Sequence, residues 1–230
     1  MLELERAAWL AGYRRVAGVD EAGRGSLAGP VVAACVVADE ATLLAWQGLT
    51  DSKKLTARAR DHFYNRIRNE ACSIGVGVID AATVDQVNIL QATFEAMREA
   101  IFQCEPVEFV LVDGPLRIPN LLVAQSPEKR GDARSISIAA ASVIAKVTRD
   151  RLMVQVHQVY PAYEFARHKG YGTVAHFEAL KRFGPSEIHR KTFLKRVALT
   201  PCGGMMSACG EPLPGGRAGS ARGRENLREE

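Results

Sequence analysis

Four acidic side chains stand where the chain could bind a hard metal ion. Asp20 and Glu21 are adjacent and follow the apolar run at residues 16–19. Asp113 ends a second apolar run, and Asp132 lies in a polar loop just before an alanine-rich segment. Clustered carboxylates suit Mg²⁺ or Mn²⁺, and two such ions can activate a water and stabilise the oxygen that leaves a phosphodiester. Metal-assisted phosphoryl chemistry is therefore one of the functions that this pattern permits.

The adjacent pair Asp20 and Glu21 also has a plainer interpretation. Acidic residues are common where a strand runs out into a turn, and there they need only face solvent. In a regular strand the two side chains point to opposite faces of the sheet. A single ion could then use both only through a local bend or through the Glu21 backbone carbonyl. The residue types at this position permit a metal site without establishing one.

A glycine-rich stretch, residues 23–29, follows the acidic pair directly. Its sequence, Gly-Arg-Gly-Ser-Leu-Ala-Gly, lacks the spacing of a dinucleotide-binding loop and leads into a strand-like segment, so a dinucleotide site is not indicated. Glycines let backbone N–H groups approach a phosphate or a sugar closely, and Arg24 adds a charged donor.

Strand patterns alternate with helix patterns around these residues. Short apolar segments predict strands at 16–19, 31–37, 72–79, 108–114 and 120–126. Helical spacing predicts helices at 55–67, from Thr83 with Gln86 as a capping box through Ile101, from Ser137 to a stop at Pro161, at 173–183 and at 186–197. This order predicts an α/β protein with a mixed sheet. Neighbouring strands lie about 4.8 Å apart, so acids at their ends can share cations.

Charge and cysteine usage narrow the class of protein. The net charge of +4 is unevenly distributed, because residues 166–196 hold eight Lys or Arg against two Glu. A basic segment beside an acidic site fits a phosphate-handling protein, although a solvated helix face gives the same pattern. The five cysteines show no C-x-x-C spacing, and no apolar run is long enough to span a membrane. We therefore expect a cytoplasmic protein with no membrane partner.

The last thirty residues differ in composition from the rest. Residues 201–230 contain seven glycines and three prolines with little to bury, which predicts a disordered tail. Residues 1–200 are predicted to form one catalytic domain, with a helical extension over about 155–200. We expect this domain to be a monomer.

Five motifs together resemble bacterial ribonuclease HII. They are GVDEAGRGSLAGPVVAA from Gly18, DSKKL at 51–55, VDG at 112–114, RGDARSISIAAASVIAKVTRD at 130–150 and HKGYGT at 168–173. They occur in that family's order and at its separations, over about residues 14–200. The resemblance implies a ribonuclease H-like fold, a mixed β-sheet flanked by helices with a helical extension at the C-terminal end.

The resemblance also implies roles for individual residues. Asp20, Glu21, Asp113 and Asp132 would be the catalytic metal ligands, holding Mg²⁺ or Mn²⁺ as two ions during catalysis. Substrate contacts would come from Gly23, Arg24 and Gly25 at the ribonucleotide, Tyr171 on the deoxyribose at the junction, Lys53, Lys54 and Lys169 at phosphates, and Ser52. The residue types alone give the remaining interpretations. His168 could shuttle a proton to the leaving group, but its place beside Lys169 in a basic loop favours a phosphate contact. Structural or solvated roles are expected for Lys146, Arg149 and Asp150, and no role in the reaction for His157, His176 and His189.

The activity implied by the resemblance is that of an endonuclease. It would hydrolyse the RNA strand of RNA–DNA hybrids, including single ribonucleotides embedded in duplex DNA, and leave 3′-hydroxyl and 5′-phosphate ends. A role in ribonucleotide excision repair would follow. The chain resembles the sister family, ribonuclease HIII, less closely, because that family carries an extra N-terminal domain and has a lysine at the position of Arg24.

Two other functions stay open on the residues alone. A different metal nuclease of this fold, such as a junction resolvase or an integrase-like enzyme, would keep the acids but would not need Gly-Arg-Gly or Tyr171. A non-catalytic nucleic-acid-binding module would keep the basic segment, but four converging acids would repel phosphate unless metals were bound.

Overall fold

The structure, a computed structural model, describes residues 1–104 and 106–196. These residues form a five-stranded mixed sheet with helices packed against it. The spatial order is β3-β2-β1-β4-β5, with β2 antiparallel to β1 and β3, and with β4 parallel to β1 and β5. The strands are β1 (Val16–Ala22), β2 (Val31–Val37), β3 (Ser73–Ile79), β4 (Phe109–Asp113) and β5 (Ala124–Glu128). The predicted α/β fold with a mixed sheet is confirmed.

Helices cover both faces of the sheet and form the C-terminal end of the described chain. They are α1 (Glu3–Leu10), α2 (Glu40–Ala45), α3 (Ala57–Glu70), α4 (Ala81–Val87), α5 (Ile89–Gln103), α6 (Ile136–Val159), α7 (Phe165–His168), α8 (Val174–Phe183) and α9 (Lys191–Arg196). Short 3₁₀ turns occupy Gly131–Ala133 and Pro161–Tyr163. Within the described ranges, no helix has both the length and the apolar character needed to cross a membrane.

The alternation of side chains along the strands divides the core into two layers. Val19, Cys35 and Val112 pack on one face with Met97 and other residues of α5. On the other face, alternate residues of β2 pack with the apolar side of α6 and with α3. Burial of each large aliphatic side chain contributes about 1.5–3 kcal/mol, so both layers stabilise the sheet that carries the acids.

Gly18 lets α6 approach β1 closely. A Cβ atom at this position would lie 2.1 Å from the carbonyl carbon of Ser137, a distance that no real side chain adopts. The N-terminal half of α6 therefore lies directly against β1, on the face to which Asp20 belongs. This contact brings α6 side chains next to the acidic end of the strand.

The helix predicted from Thr83 to Ile101 is wrong as a single element. The structure begins α4 two residues earlier, where the Asp80 carboxylate caps it by accepting from the Thr83 N–H at 2.7 Å. The chain then breaks at Asn88, whose φ is +69° and whose side chain caps α5. Asparagine adopts such backbone angles more readily than most residues and competes for backbone N–H groups, which explains the break.

The helix predicted at 186–197 is also wrong at its start. The structure begins α9 only at Lys191, because the Asp85 carboxylate accepts from the backbone N–H groups of Lys191 (2.7 Å) and Thr192 (2.9 Å) and so caps it there. Residue 197 and the predicted tail, 201–230, lie outside the described residues. The predicted strand at 120–126 is shifted to β5, whereas α6 ends just before Pro161 as expected.

Candidate active site

Asp20 and Asp113 lie at the neighbouring ends of β1 and β4. The parallel register pairs Val19 with Val112, so the next residue on each strand brings its carboxylate to the same edge. Asp20 is only 6% exposed, faces α6, and accepts a hydrogen bond from the Glu21 N–H at 2.7 Å. The prediction that two apolar strands deliver acids to one sheet edge is therefore reproduced by the register.

Glu21 occupies the next position on β1 and reaches the opposite side of the strand. Its carboxylate forms an ion pair with Arg24 at 3.2 Å and borders a small cleft that is also lined by Asp113 and by Phe94 of α5. This placement is what the regular strand geometry predicts for adjacent residues. Asp20 and Glu21 thus approach Asp113 from two sides.

Asp132 reaches the same edge from the 3₁₀ turn that precedes α6. Asp113 fixes this turn by accepting a hydrogen bond from the Gly131 N–H at 2.7 Å. Arg130 enters the turn with a φ of +56°. Burial and the charges of Asp113 and Asp51 raise the pKa of Asp132, which reflects how close these carboxylates are.

The four acids form a region of concentrated negative charge. Burial, followed by the charges of Glu21 and Asp113, raises the pKa of Asp20 well above its usual value. Burial also raises the pKa of Glu21, against the opposing charge of Arg24. A divalent cation would relieve this repulsion, and carboxylate oxygens are the donors that Mg²⁺ and Mn²⁺ prefer.

The four acids do not form a preassembled metal-binding site. Across residues 1–104 and 106–196, no three Asp, Glu, His or Cys side chains are already arranged to hold an ion. Mg²⁺ commonly keeps several waters and takes only one or two protein carboxylates, together with substrate phosphate. The donor set therefore fits a hydrated divalent ion that the substrate helps to coordinate.

The charge repulsion predicts that neutralising Asp20 stabilises the protein in the absence of divalent ions. A pKa raised by folding means that stability falls as the pH rises from the unfolded-state value of about 4 through the folded-state value. Asp20→Asn removes this loss and keeps the acceptor for the Glu21 N–H. We expect its Tm at pH 7 with EDTA to exceed that of the wild type by about 2–4 °C for each kcal/mol gained.

Asp39→Asn is the matched control for this measurement. Asp39 is an exposed acid that caps α2 through the Thr42 N–H, and asparagine caps equally well. Its Tm should stay close to that of the wild type. A Tm for Asp20→Asn at or below that of the wild type in EDTA would show that the repulsion does not limit stability.

Two buried arginines hold the glycine-rich loop from behind. Arg149 of α6 donates to the carbonyls of Pro30 (2.9 Å) and Ala28 (3.1 Å), and Arg190 donates to those of Arg24 and Ser26, each at 3.0 Å. The structural role expected for Arg149 is confirmed. Arg190, one of the eight basic residues in the segment 166–196, is also fully buried and is not part of a solvated face.

Gly23 is required by the close approach of Arg149. Its φ is +94°, and a Cβ atom there would lie 2.0 Å from Arg149 Nε. Arg24 and Gly25, the next two residues, are exposed beside the acids. The loop thus presents its backbone to the site while its rear is fixed by hydrogen bonds.

A cavity of about 280 Å³ joins two of the four acids, Asp20 and Glu21, to predicted recognition residues. Its lining residues are Asp20, Glu21, Ala22, Ser52, Lys53, Ser142, Lys146 and Tyr171. Ser142 donates to the Ser52 hydroxyl at 2.7 Å, and Arg60 holds the same loop by donating to the Ser52 carbonyl at 2.9 Å. Lys53 and Lys54 are exposed on this loop.

The predicted phosphate contacts divide into two groups. Lys53 lies close enough to Glu21 and Asp132 for its positive charge to oppose the rise in the pKa of both carboxyls. Lys169 instead donates to the Ala166 carbonyl and borders a separate cavity beside Arg60, so the structure does not place it with the acids. A phosphate contact by Lys169 would have to lie farther along the substrate.

Two further charged residues lie near the site: Lys146, which the sequence analysis interprets as structural or solvated, and Glu128, which it does not single out. Lys146 lines the cavity, with its Nζ 5.3 Å from the centre of the Tyr171 ring and 2.8 Å from Asp150. Glu128 pairs in register with Asp113 and forms an ion pair with Arg134 at 2.7 Å. Glu128 escaped notice because its segment reads as a polar loop.

The interpretation of His168 as a phosphate contact is wrong. His168 is buried, and its Nε2 lies 2.6 Å from the Tyr163 carbonyl. His176 and His189, for which no role was expected, are buried with it.

Comparisons with known proteins agree on one family. The family model described as Ribonuclease HII matches residues 17–197. A relative named ribonuclease HII from Geobacter sulfurreducens is 55% identical over 193 residues, covering 83% of this chain and 87% of the relative. The crystal structure of ribonuclease H2 from Pyrococcus horikoshii OT3 is 28% identical with a TM-score of 0.66, covering 80% of this chain and 97% of that one.

The fold is also shared with the sister family. A solved Bst ribonuclease HIII in complex with Mn²⁺ is similar with a TM-score of 0.58 and 21% identity, covering 77% of this chain and 65% of that one. At that identity the likeness concerns the fold.

Proposed function

Because the chain belongs to the ribonuclease HII family, endoribonucleases that hydrolyse the RNA of RNA–DNA hybrids, we propose that it also cuts at single ribonucleotides embedded in duplex DNA. The proposed reaction uses two divalent ions, Mg²⁺ or Mn²⁺, and leaves 3′-hydroxyl and 5′-phosphate ends. We further propose that the protein acts as a monomer in the cytoplasm, where it would remove ribonucleotides that have been incorporated into DNA.

One observation carries this proposal. Asp20 and Glu21 border the same 280 Å³ cavity as Lys53 and Tyr171, and the Gly-Arg-Gly loop begins two residues after Glu21. Groups suited to phosphoryl chemistry and groups suited to reading a sugar therefore lie next to one another. A nuclease that ignored the sugar would need only the first set.

The acids are proposed to hold the metal ions. Asp20, Glu21, Asp113 and Asp132 supply the carboxylate oxygens at the ends of β1 and β4 and in the turn before α6. When bound, the ions would lower the pKa of the attacking water and stabilise the leaving 3′ oxygen. Lys53 is proposed to offset phosphate charge beside these acids.

The glycine-rich loop is proposed to recognise the ribose. The 2′-hydroxyl distinguishes RNA from DNA, and the backbone around Gly23 and Gly25 can approach it without side-chain obstruction. Arg149 and Arg190 fix the loop, so its N–H and C=O groups are held in place before the substrate binds. Tyr171 is proposed to pack against the deoxyribose on the far side of the junction.

The test compares three labelled duplexes. One carries a single ribonucleotide, one is a full RNA–DNA hybrid, and one is DNA only. Each is incubated with Mg²⁺, with Mn²⁺ or with EDTA, and the product ends are identified by their mobility and by ligation.

The expected result is metal-dependent cleavage of the first two duplexes, with none in EDTA and none of the DNA duplex. Cleavage of the DNA duplex would instead support a nuclease that does not read the 2′-hydroxyl. Binding of the hybrid without cleavage in either metal would support a binding module. Cleavage of the hybrid alone would contradict the proposed action on single ribonucleotides.

A further inference from the structure

Three buried histidines lie directly behind the segment that carries Tyr171. This histidine cluster consists of His168, His176 and His189, each no more than 8% exposed. The rings of His168 and His176 stack with centroids 4.4 Å apart and an angle of 17° between planes. The edge of the cluster packs against Phe165, which excludes water from the imidazoles.

The hydrogen bonds of the cluster fix the proton on each ring. The Ser186 N–H donates to His189 Nδ1 at 2.9 Å, so the ring proton of a neutral His189 must be on Nε2. His189 Nε2 lies 3.0 Å from His176 Nε2 and donates to it. The proton of His176 is then on Nδ1, which donates to the Tyr171 carbonyl at 2.9 Å.

His168 follows the same logic from the other side of the segment. The Gly170 N–H donates to His168 Nδ1 at 3.2 Å, and His168 Nε2–H donates to the Tyr163 carbonyl. Burial lowers the pKa of all three histidines, and that of His189 to about 4. The neutral forms that these hydrogen bonds require are therefore the forms present at neutral pH.

The cluster fixes the backbone at Gly170 and Tyr171 from the buried side. Besides the two imidazole contacts, the Gly170 carbonyl accepts from the Leu27 N–H of the glycine-rich loop at 2.8 Å. The Tyr171 ring has its centre 5.2 Å from the Arg149 guanidinium and lines the cavity with Asp20. A shift of the Tyr171 carbonyl would move this ring relative to the acids.

We propose that His176, held in one tautomer by His189, is a positioning residue for Tyr171. Its imidazole fixes the Tyr171 carbonyl and thereby sets where the ring meets the sugar beside the cut. This inference rests on the proposed function, in which Tyr171 contacts the deoxyribose at an RNA-to-DNA junction. Displacements of about 1 Å at such a contact can lower a rate by about 100-fold.

The test uses two substitutions at position 176 in the full chain. His176→Phe keeps an aromatic ring that can stack on His168, although the ring is somewhat larger, and it removes both nitrogens. His176→Asn places an amide N–H where Nδ1–H was and can still donate to the Tyr171 carbonyl. His62→Phe, which alters an exposed histidine of α3, is the matched control.

Cleavage at a single ribonucleotide is measured against cleavage within an all-RNA strand paired with DNA. We expect His176→Phe to lose about 10-fold on the first substrate and much less on the second. His176→Asn should recover most of the loss, and His62→Phe should match the wild type. Combining His176→Phe with Tyr171→Ala should cost no more than Tyr171→Ala alone, since both act through one contact.

Equal losses on both substrates, or no recovery in His176→Asn, would overturn the positioning role. If Tyr171→Ala itself shows no selective loss at the junction, the proposed contact of Tyr171 with the sugar fails instead. Nitrogen-15 NMR of the wild type adds a measurement that does not depend on whether variants fold. It should show His176 protonated at Nδ1 and His189 at Nε2, and His176 protonated at Nε2 would overturn the inference directly.

Discussion

Asp113→Asn is expected to keep the fold and to abolish cleavage in Mg²⁺ and in Mn²⁺. Asparagine retains an oxygen that can accept the hydrogen bond from the Gly131 N–H, so the turn that presents Asp132 should persist. The substitution removes the charge at the centre of the acidic cluster, next to Asp20 and Glu21. A loss of about 4 kcal/mol of transition-state stabilisation corresponds to about a 1,000-fold lower rate.

The measurement pairs initial rates on an RNA–DNA hybrid with Tm values with and without Mn²⁺. The wild type should gain Tm on adding Mn²⁺, because an ion that binds only the folded state stabilises it, whereas Asp113→Asn should gain little. Asp80→Asn changes an acid that caps α4 and should keep both the rate and the Mn²⁺ response. A folded Asp113→Asn protein with wild-type cleavage would remove Asp113 from the metal site.

The acids could be found from the sequence because their positions depend on local patterns. An apolar run identifies a strand, and the first polar residue after it marks the sheet edge, as at Asp20 and Asp113. Neither apolar run shows that the two strands are neighbours in the sheet. The structure shows this through the parallel pairing of Val19 with Val112, which depends on how the whole sheet is assembled.

The parts that escaped prediction are polar residues buried by tertiary contacts. Arg190 and His176 lie in the basic segment 166–196, which also contains exposed residues, and no local pattern distinguishes them as buried. Arg190 is satisfied by carbonyls of residues more than 160 positions earlier, and His176 by His189. Buried polar groups need such partners, and these partners come from distant segments. The break at Asn88 escaped for a related reason, since a side-chain cap replaced the expected helical turn.

Tyr171→Ala is expected to reduce cleavage at a single embedded ribonucleotide by about 10- to 100-fold. Packing of an aromatic ring on nucleic acid is worth about 1–3 kcal/mol by alanine substitution, which corresponds to about a 5- to 160-fold change in rate and so includes the expected loss. The ring borders the cavity that contains Asp20, and cationic groups of Lys146 and Arg149 lie 5.3 Å and 5.2 Å from its centre. It is thus placed at the site and partly exposed to a substrate.

The choice of substrates separates recognition of the sugar from a general role in packing. If the ring contacts a deoxyribose beside the cut, the loss should be larger at an RNA-to-DNA junction than inside an all-RNA strand, where that sugar is absent. Tyr171→Phe retains the ring and should stay near the wild-type rate on both substrates, and the Mn²⁺-induced gain in Tm should be unchanged in both variants. If Tyr171 only packs its loop against Lys146 and Arg149, the alanine variant will instead melt at a lower temperature and lose activity equally on the two substrates.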